Sequence, residues 1–188
     1  TLRYLDADLP FSGVTGVTTG RVARGQGVAT GLTAWAIARS AEAGAAVSGL
    51  SMFEQGFYER LGMGISSYEH RVTFDPAQLS VSGRPRPPRR FEAADWRALH
   101  RVRVNRLRRH GNVTLEPAAT TRAELAFMGD KGFGLGYCDG PHGAVSHVIW
   151  CHASEGEHGP YRVSWLAYQT PEQFLELMRV LKSLGDQV

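Results

Sequence analysis

The chain has 188 residues, 43% of them apolar, with 21 Lys+Arg against 18 Asp+Glu and a formal net charge of +3. That length fits one large domain or two small ones, and the apolar content is ample for a packed core. No run approaches the apolar length that spans a bilayer and no secretory signal pattern opens the sequence, so a soluble, cytoplasmic protein is the expectation. Cys138 and Cys151 are too few and too loosely spaced for a disulfide framework and read as reduced core residues.

In chain order, the first element is a β-prone run from Gly13 to Thr19. It passes through the turn Gly20-Arg-Val-Ala-Arg-Gly-Gln-Gly27 into a helix predicted over Val28 to Gly44, with Val28, Leu32, Trp35 and Ile37 forming much of an apolar face. Ala45 to Met52 reads as a short buried strand. It is followed by Phe53-Glu-Gln-Gly-Phe-Tyr-Glu-Arg-Leu-Gly-Met-Gly64, and Ser67 to Phe74 reads as a closing strand of a first domain, 1–75. A connector rich in proline and arginine, 76–90, disfavours any continuous helix or central strand.

The second domain, 91–188, opens with an amphipathic helix over Glu92 to Arg109, in which Trp96, Leu99, Val102, Arg103 and Arg106 recur at helical steps. A short helix around Thr121 to Met128 precedes strand-like runs at Gly132–Cys138, Ala144–His152 and Tyr161–Tyr168. A final helix runs from Pro171 to Leu184, capped by Thr170 and stopped by Gly185.

Chemistry concentrates in the early turn. Consecutive backbone N–H groups entering a helix, together with the positive end of its dipole, form a cradle for phosphate oxygens. Gly25 and Gly27 let the main chain approach a ligand closely, and Arg21 and Arg24 can add charge-assisted hydrogen bonds. The pattern is neither a P-loop nor a dinucleotide fingerprint. An ordinary strand–turn–helix with basic surface residues is the competing reading.

The turn resembles the Arg/Gln-x-x-Gly-x-Gly/Ala loop of the GNAT acyltransferases, with Val22 standing where that family usually has Arg or Gln. Tyr58-Glu-Arg-Leu-Gly-Met-Gly64 is similar to the Tyr-Gly-Arg-Phe-Gly-Tyr-Gly segment of the enhanced-intracellular-survival (Eis) branch of that family. The second half resembles a further, degenerate lobe, because Leu166 to Phe174 lacks the glycines and arginines of the first loop. The implied fold is α/β (α+β): tandem GNAT-like lobes of mixed, mostly antiparallel sheets flanked by helices, the first lobe incomplete.

The resemblance implies transfer of an acetyl group from acetyl-coenzyme A to a primary amine, on an aminoglycoside-like molecule or a lysine side chain, by direct attack in a ternary complex. The pyrophosphate would rest on Arg24, Gly25, Gln26, Gly27, Val28 and Ala29, while main-chain groups of Val17 and Thr18 polarise the thioester carbonyl. Tyr58 would protonate the departing sulfur, a task that suits a phenol because it keeps its proton at neutral pH. The alternative for Tyr58 is a helix residue with its ring in the core and its hydroxyl at the surface. Glu54 and Glu59 flank it, and helical periodicity puts at most one of them on its face.

The family also implies a homo-oligomer, hexamers being common in it. Only Thr1 to Pro10 precede the loop-bearing strand, and Eis-like chains continue into a sterol-carrier-like domain that supplies the base, so the chain reads as a segment of a longer protein and no base is assigned. Two other functions stay open: a catalytically silent acyl-coenzyme A sensor or scaffold, and an arginine-rich nucleic-acid-binding module built on the ten arginines between Arg84 and Arg109. Against the second, these arginines interleave with an apolar stripe and no base-reading motif accompanies them. Cys138, His142, His147, Cys151, His152 and His158 match no metal-ligand spacing, so no metal is expected.

Overall fold

The computed structural model describes residues 1–51, 56–66, 71–107, 112–114, 117–155 and 158–185. In chain order the elements are β1 (Leu2–Tyr4), β2 (Ala7–Leu9), β3 (Phe11–Gly13), α1 (Val28–Glu42), β4 (Val47–Gly49), β5 (Arg89–Phe91), α2 (Trp96–Val104), β6 (Asn112–Thr114), α3 (Ala118–Met128), β7 (Gly132–Tyr137), β8 (His147–Glu155), β9 (His158–Ala167) and α4 (Pro171–Ser183). They form two units: Thr1–His70 with Arg108–Leu115, and Arg71–Leu107 with Glu116–Val188. Mixed α/β structure with mostly antiparallel pairing is what the sequence predicted.

Among the described residues the first unit holds two small sheets. In one, β1 lies between β2 and β6, antiparallel to both, and Arg3 on β1 forms an ion pair with Asp8 on β2. In the other, β3 and β4 run parallel, with Phe11 opposite Val47 and Gly13 opposite Gly49. Parallel neighbours need a crossover connection, and α1 supplies it. The helix is tied to β3 by a 2.8 Å hydrogen bond between the Ser12 and Ser40 hydroxyls, and Ser40 also bonds the Ala36 carbonyl at 2.8 Å.

Several expectations for this unit need correction. The loop-bearing strand spans Phe11–Gly13 rather than Gly13 to Thr19. Residues 14–20 are β-prone in composition, but the ladder ends where Val14 N–H donates to Gly49 O (2.9 Å), and strand propensity without a partner strand makes no strand. Three of the four residues assigned to the apolar face of α1 lie outside: Val28, Leu32 and Trp35 are 49%, 61% and 62% exposed, Ile37 is half-buried, and the buried residue is Thr33. Small side chains, not large ones, let this helix lie close to its sheet.

Met52, Phe53, Glu54 and Gln55 lie outside the described residues, and so does the first half of the strand expected over Ser67 to Phe74; its second half, 71–74, is irregular. The described part of the Tyr58 segment holds a single 3₁₀ turn, Glu59–Leu61, stopped at Gly62.

The second unit is a four-stranded antiparallel sheet in the order β5-β7-β8-β9, covered on both faces. On one face Phe91, Val148, Trp150 and Ala167 pack with Leu99 and Val102 of α2 and Leu125 of α3. On the other, Tyr137, Ile149 and Cys151 pack with Leu177, Val180 and Leu181 of α4. Each such fully buried large apolar side chain stabilises the fold by about 1.5–3 kcal/mol relative to exposure. The alternation of inward positions along β8 assigns successive residues to opposite layers, as the pleat requires.

Here the sequence reading differs mainly at element ends. The helix expected over Glu92 to Arg109 is regular only through Val104, and its start is a 3₁₀ turn, Ala93–Asp95, held by a Glu92/Asp95 capping box. The second strand begins at His147 rather than Ala144 because 141–143 form a 3₁₀ turn. Strands β1, β2, β5 and β6 had no counterpart in the sequence reading, and β5 starts within the stretch read as connector.

Candidate functional site

The turn before α1 is built from three pieces. Residues Arg21–Ala23 make one 3₁₀ turn, closed by Ala23 N–H to Gly20 O (3.0 Å); Arg24 is extended; and Gly25 and Gly27 sit at φ 76° and 75°. Those positive φ values are closed to most residues, so the two glycines fix the path by which the chain enters the helix. Gly27 is the N-cap and has no side chain to cap with. The first backbone hydrogen bond of α1 is Gly31 N–H to Gly27 O at 2.9 Å.

The consequence lies in the amides. Among the described residues none accepts a hydrogen bond from the backbone N–H groups of Arg24 through Thr30. Three of these belong to the first helical turn, whose N–H groups have no intrahelical partner in any α-helix. The remainder are freed by the glycine turns. Gln26 contributes no cap either, its side-chain amide donating backward to Val22 O at 3.0 Å. Arg21, Arg24 and the 94%-exposed Val22 face solvent. Chemically this is a run of open donors at a positive helix end, suited to an anion with several oxygens.

Beyond the end of the β3–β4 ladder, Val17 is half-buried and Thr18 exposed, both without regular structure. Because β3 and β4 are parallel, both chain segments that follow them start from the same end of the pair. The segment after β3 leads through Val17 and Thr18 to the open amides, and Tyr58 lies further along the chain after β4. Tyr58 is half-buried, its ring edge-on to Phe57 at a centroid separation of 4.9 Å, and its carbonyl accepts from Leu61 N–H (2.9 Å). Glu59 beside it is exposed.

The corresponding strand-to-helix junction of the second unit, β9 into α4, is closed. Thr170 accepts from Gln173 N–H (3.3 Å) while the Gln173 side chain accepts from Thr170 N–H (3.4 Å) and Gln169 N–H (2.7 Å). Pro171 removes a further donor. The Glu172 carboxyl is held below the usual range by backbone and Thr170 hydrogen bonds, so a negative charge already sits on this helix end.

The second unit also contains a polar cluster that sequence reasoning missed. Arg86 grips Glu176 (2.7 and 2.9 Å) and Asp139 (3.2 and 2.6 Å) and lies over the Tyr137 ring at 4.5 Å. His147, 1% exposed, sits between the Ser146 hydroxyl (2.9 Å) and Glu176 (3.1 Å). Arg86 holds both carboxyls below their ordinary range, burial pushes the Tyr137 phenol up to about 12, and burial lowers His147 despite its carboxylate neighbour. Partners 29 to 90 residues apart leave no local signal.

Asp139, His147 and Glu176 place potential ligand atoms within 4.8 Å of one another, but the Arg86 guanidinium already pairs with both carboxylates. Of the arginines weighed for nucleic-acid binding, Arg86, Arg89 and Arg103 are each paired with carboxylates within the unit. Cys138 and Cys151 are free thiols, and burial pushes the latter up to about 12.

Residues 1–66 match the family model described as an acetyltransferase (GNAT) domain. This span contains both the open-amide turn and Tyr58. Among solved structures, a GCN5-related N-acetyltransferase from Kribbella flavida superposes with a TM-score of 0.70 at 21% identity, covering 96% of this chain and 44% of that one. A conserved protein of unknown function from Enterococcus faecalis V583, a probable N-acyltransferase, gives 0.72 at 16% identity, with 98% and 47% covered.

At such identities the likeness carries the fold, and the chain spans less than half the length of either structure. No curated protein matches the chain. The family model covers the first 66 residues, and the likeness of fold extends over nearly the whole chain. Among the described residues no helix is long and apolar enough to cross a membrane.

Proposed function

We propose that the first unit binds acetyl-coenzyme A and that the protein transfers its acetyl group to a primary amine. The observation that carries this reading is the run of unpaired amides from Arg24 to Thr30 at the start of α1, within the span matched to the acetyltransferase domain. The pyrophosphate rests on Arg24, Gly25, Gln26, Gly27, Val28 and Ala29. The thioester end points to the edge shared by Val17 and Thr18 on one segment and Tyr58 on the other.

Attack by a neutral amine builds charge on the carbonyl oxygen and then on sulfur. Main-chain donors near Val17 and Thr18 stabilise the first, and the Tyr58 hydroxyl protonates the second. The acceptor is an aminoglycoside-like amine or a lysine side chain, and the assembly is a homo-oligomer, following the resemblance of the Tyr58–Gly64 segment to the Eis branch. A second reading, coenzyme binding without transfer, draws on Val22, whose apolar, exposed side chain gives the phosphates nothing.

The test is coenzyme-dependent acetylation of a panel of amines by the intact protein, alongside direct measurement of coenzyme binding. Tyr58→Phe is expected to lower kcat about 100-fold or more, as loss of a general acid does, with coenzyme affinity within about twofold of the parent. Unchanged turnover removes Tyr58 from the acid role. Binding without acetylation of any amine favours the silent reading.

A further inference from the structure

We infer that the second unit carries a binding groove for a small carboxylate with an apolar tail. The groove, about 310 Å3, lies between the last turns of α3 and the β8–β9 ladder and is lined by Glu124, Phe127, Met128, His152, Arg162 and Ser164. Its walls follow from local geometry. Glu124, Phe127 and Met128 are three and four residues apart and share one helix face. His152 and Arg162 are directly paired across β8 and β9, so their side chains emerge on the same face of the sheet.

The two walls differ in character. Beside Glu124 the helix wall is apolar, formed by Phe127 and Met128, and Phe127 is 94% exposed, an unusual placement for a ring that a protein core would otherwise bury. The sheet wall is polar: the Arg162 guanidinium, the His152 imidazole and the Ser164 hydroxyl have no hydrogen-bond or ion-pair partner among the described residues. The one carboxylate in the groove, Glu124, is already neutralised by Arg103 at 2.6 Å, which leaves the groove with a net positive charge from Arg162. Arg86, Arg89 and Arg103 in the same unit each have a carboxylate supplied from within the fold. Arg162 is exposed and has no carboxylate partner among the described residues.

Charge complementarity sets the ligand class. A guanidinium binds a carboxylate with paired, parallel hydrogen bonds, and a serine hydroxyl on the same wall can donate a third. The facing Phe127 and Met128 contact an aromatic or aliphatic tail, and a cavity of this size is at the lower end of those that take small organic ligands. The occupant is therefore a free small-molecule acid, held at one end by charge and at the other by apolar contact. It is separate from the coenzyme site of the first unit and does not depend on it.

The experiment titrates the full chain with 3-phenylpropionate, its uncharged amide, and acetate, following backbone amide NMR signals. The expected result is saturable binding of 3-phenylpropionate with shifts confined to residues around Phe127, His152, Arg162 and Ser164, and affinity at least about tenfold weaker for the amide and for acetate. Arg162→Gln and Phe127→Ala should each weaken binding about tenfold, and unchanged thermal unfolding of the exposed-site variant Arg162→Gln keeps the comparison clean. Ser164→Ala serves as the third variant. Equal affinity for acid and amide, shifts elsewhere, no effect of Arg162→Gln, or binding of an acidic peptide in preference to the small acid would each overturn the proposal.

Discussion

The same structural step, a strand feeding a helix, occurs at Gly27–Val28 and at Thr170–Pro171, and the two are finished in opposite ways. At the first, the N-cap is a glycine in the left-handed region and the amides of the opening turn meet no acceptor. At the second, a threonine–glutamine capping box, a proline and a carboxylate satisfy or remove the same groups. Stability favours the second arrangement, since a capping side chain contributes about 1 kcal/mol. A helix that forgoes it keeps its donors for something outside the chain. The absence of a cap, rather than the presence of glycine, is therefore the informative feature.

The sharpest way to break this comparison is to write the second junction into the first. Gly27→Thr with Val28→Pro imposes a β-branched residue at φ 75° and deletes an amide, and coenzyme affinity should fall about 100-fold or more by calorimetry. Retained affinity would mean the phosphates bind elsewhere. A milder change, Gly27→Ala, meets no neighbour within 4 Å and costs only backbone strain, about 1–2 kcal/mol, so affinity or local stability should drop about tenfold. The reverse edit, Thr170→Ala, is expected to lower unfolding stability by about 1 kcal/mol in a denaturant titration and to leave coenzyme binding untouched.

The smallest effect is one of pH. In the second unit Asp139, Glu176 and His147 are all held below their ordinary values. Each then contributes stability above its unfolded-state pKa that is lost as pH falls through the folded one. His147 acts first, once the pH drops below about 6.5, and the carboxyls follow below about 4. Hydrogen exchange during acidification should therefore show protection lost in β8 and α4 before α1; the opposite order would assign the acid sensitivity to the first unit.

What was legible in the sequence follows this contrast closely. The glycine turn and the Thr170 cap were readable because each is a local device, specified by a few adjacent residues. The face of α1 was not. Periodicity marks Val28, Leu32 and Trp35 as one stripe but carries no statement of what covers it, and the helix packs through Thr33 and Ser40 instead. Strand lengths erred for a related reason: Thr15 to Thr19 have the propensity, yet among the described residues the pairing stops at Val14. The Arg86–Glu176–His147 cluster and the groove beside Phe127 assemble from segments that sequence order keeps far apart, so only the fold reveals them.

The pairing of β1 with β6 makes Tyr4 the partner of Asn112. A ribosome making this protein must therefore extrude everything from β1 to β6 before that sheet can acquire its third strand. Until then the opening hairpin has a bare edge, and a two-stranded ribbon alone is only marginally stable in water. Protein engineers wishing to isolate the amino-terminal unit face the same arithmetic: a fragment cut anywhere in the arginine-rich connector would leave that edge uncovered, whereas one joining the two stretches through a short tether would close it.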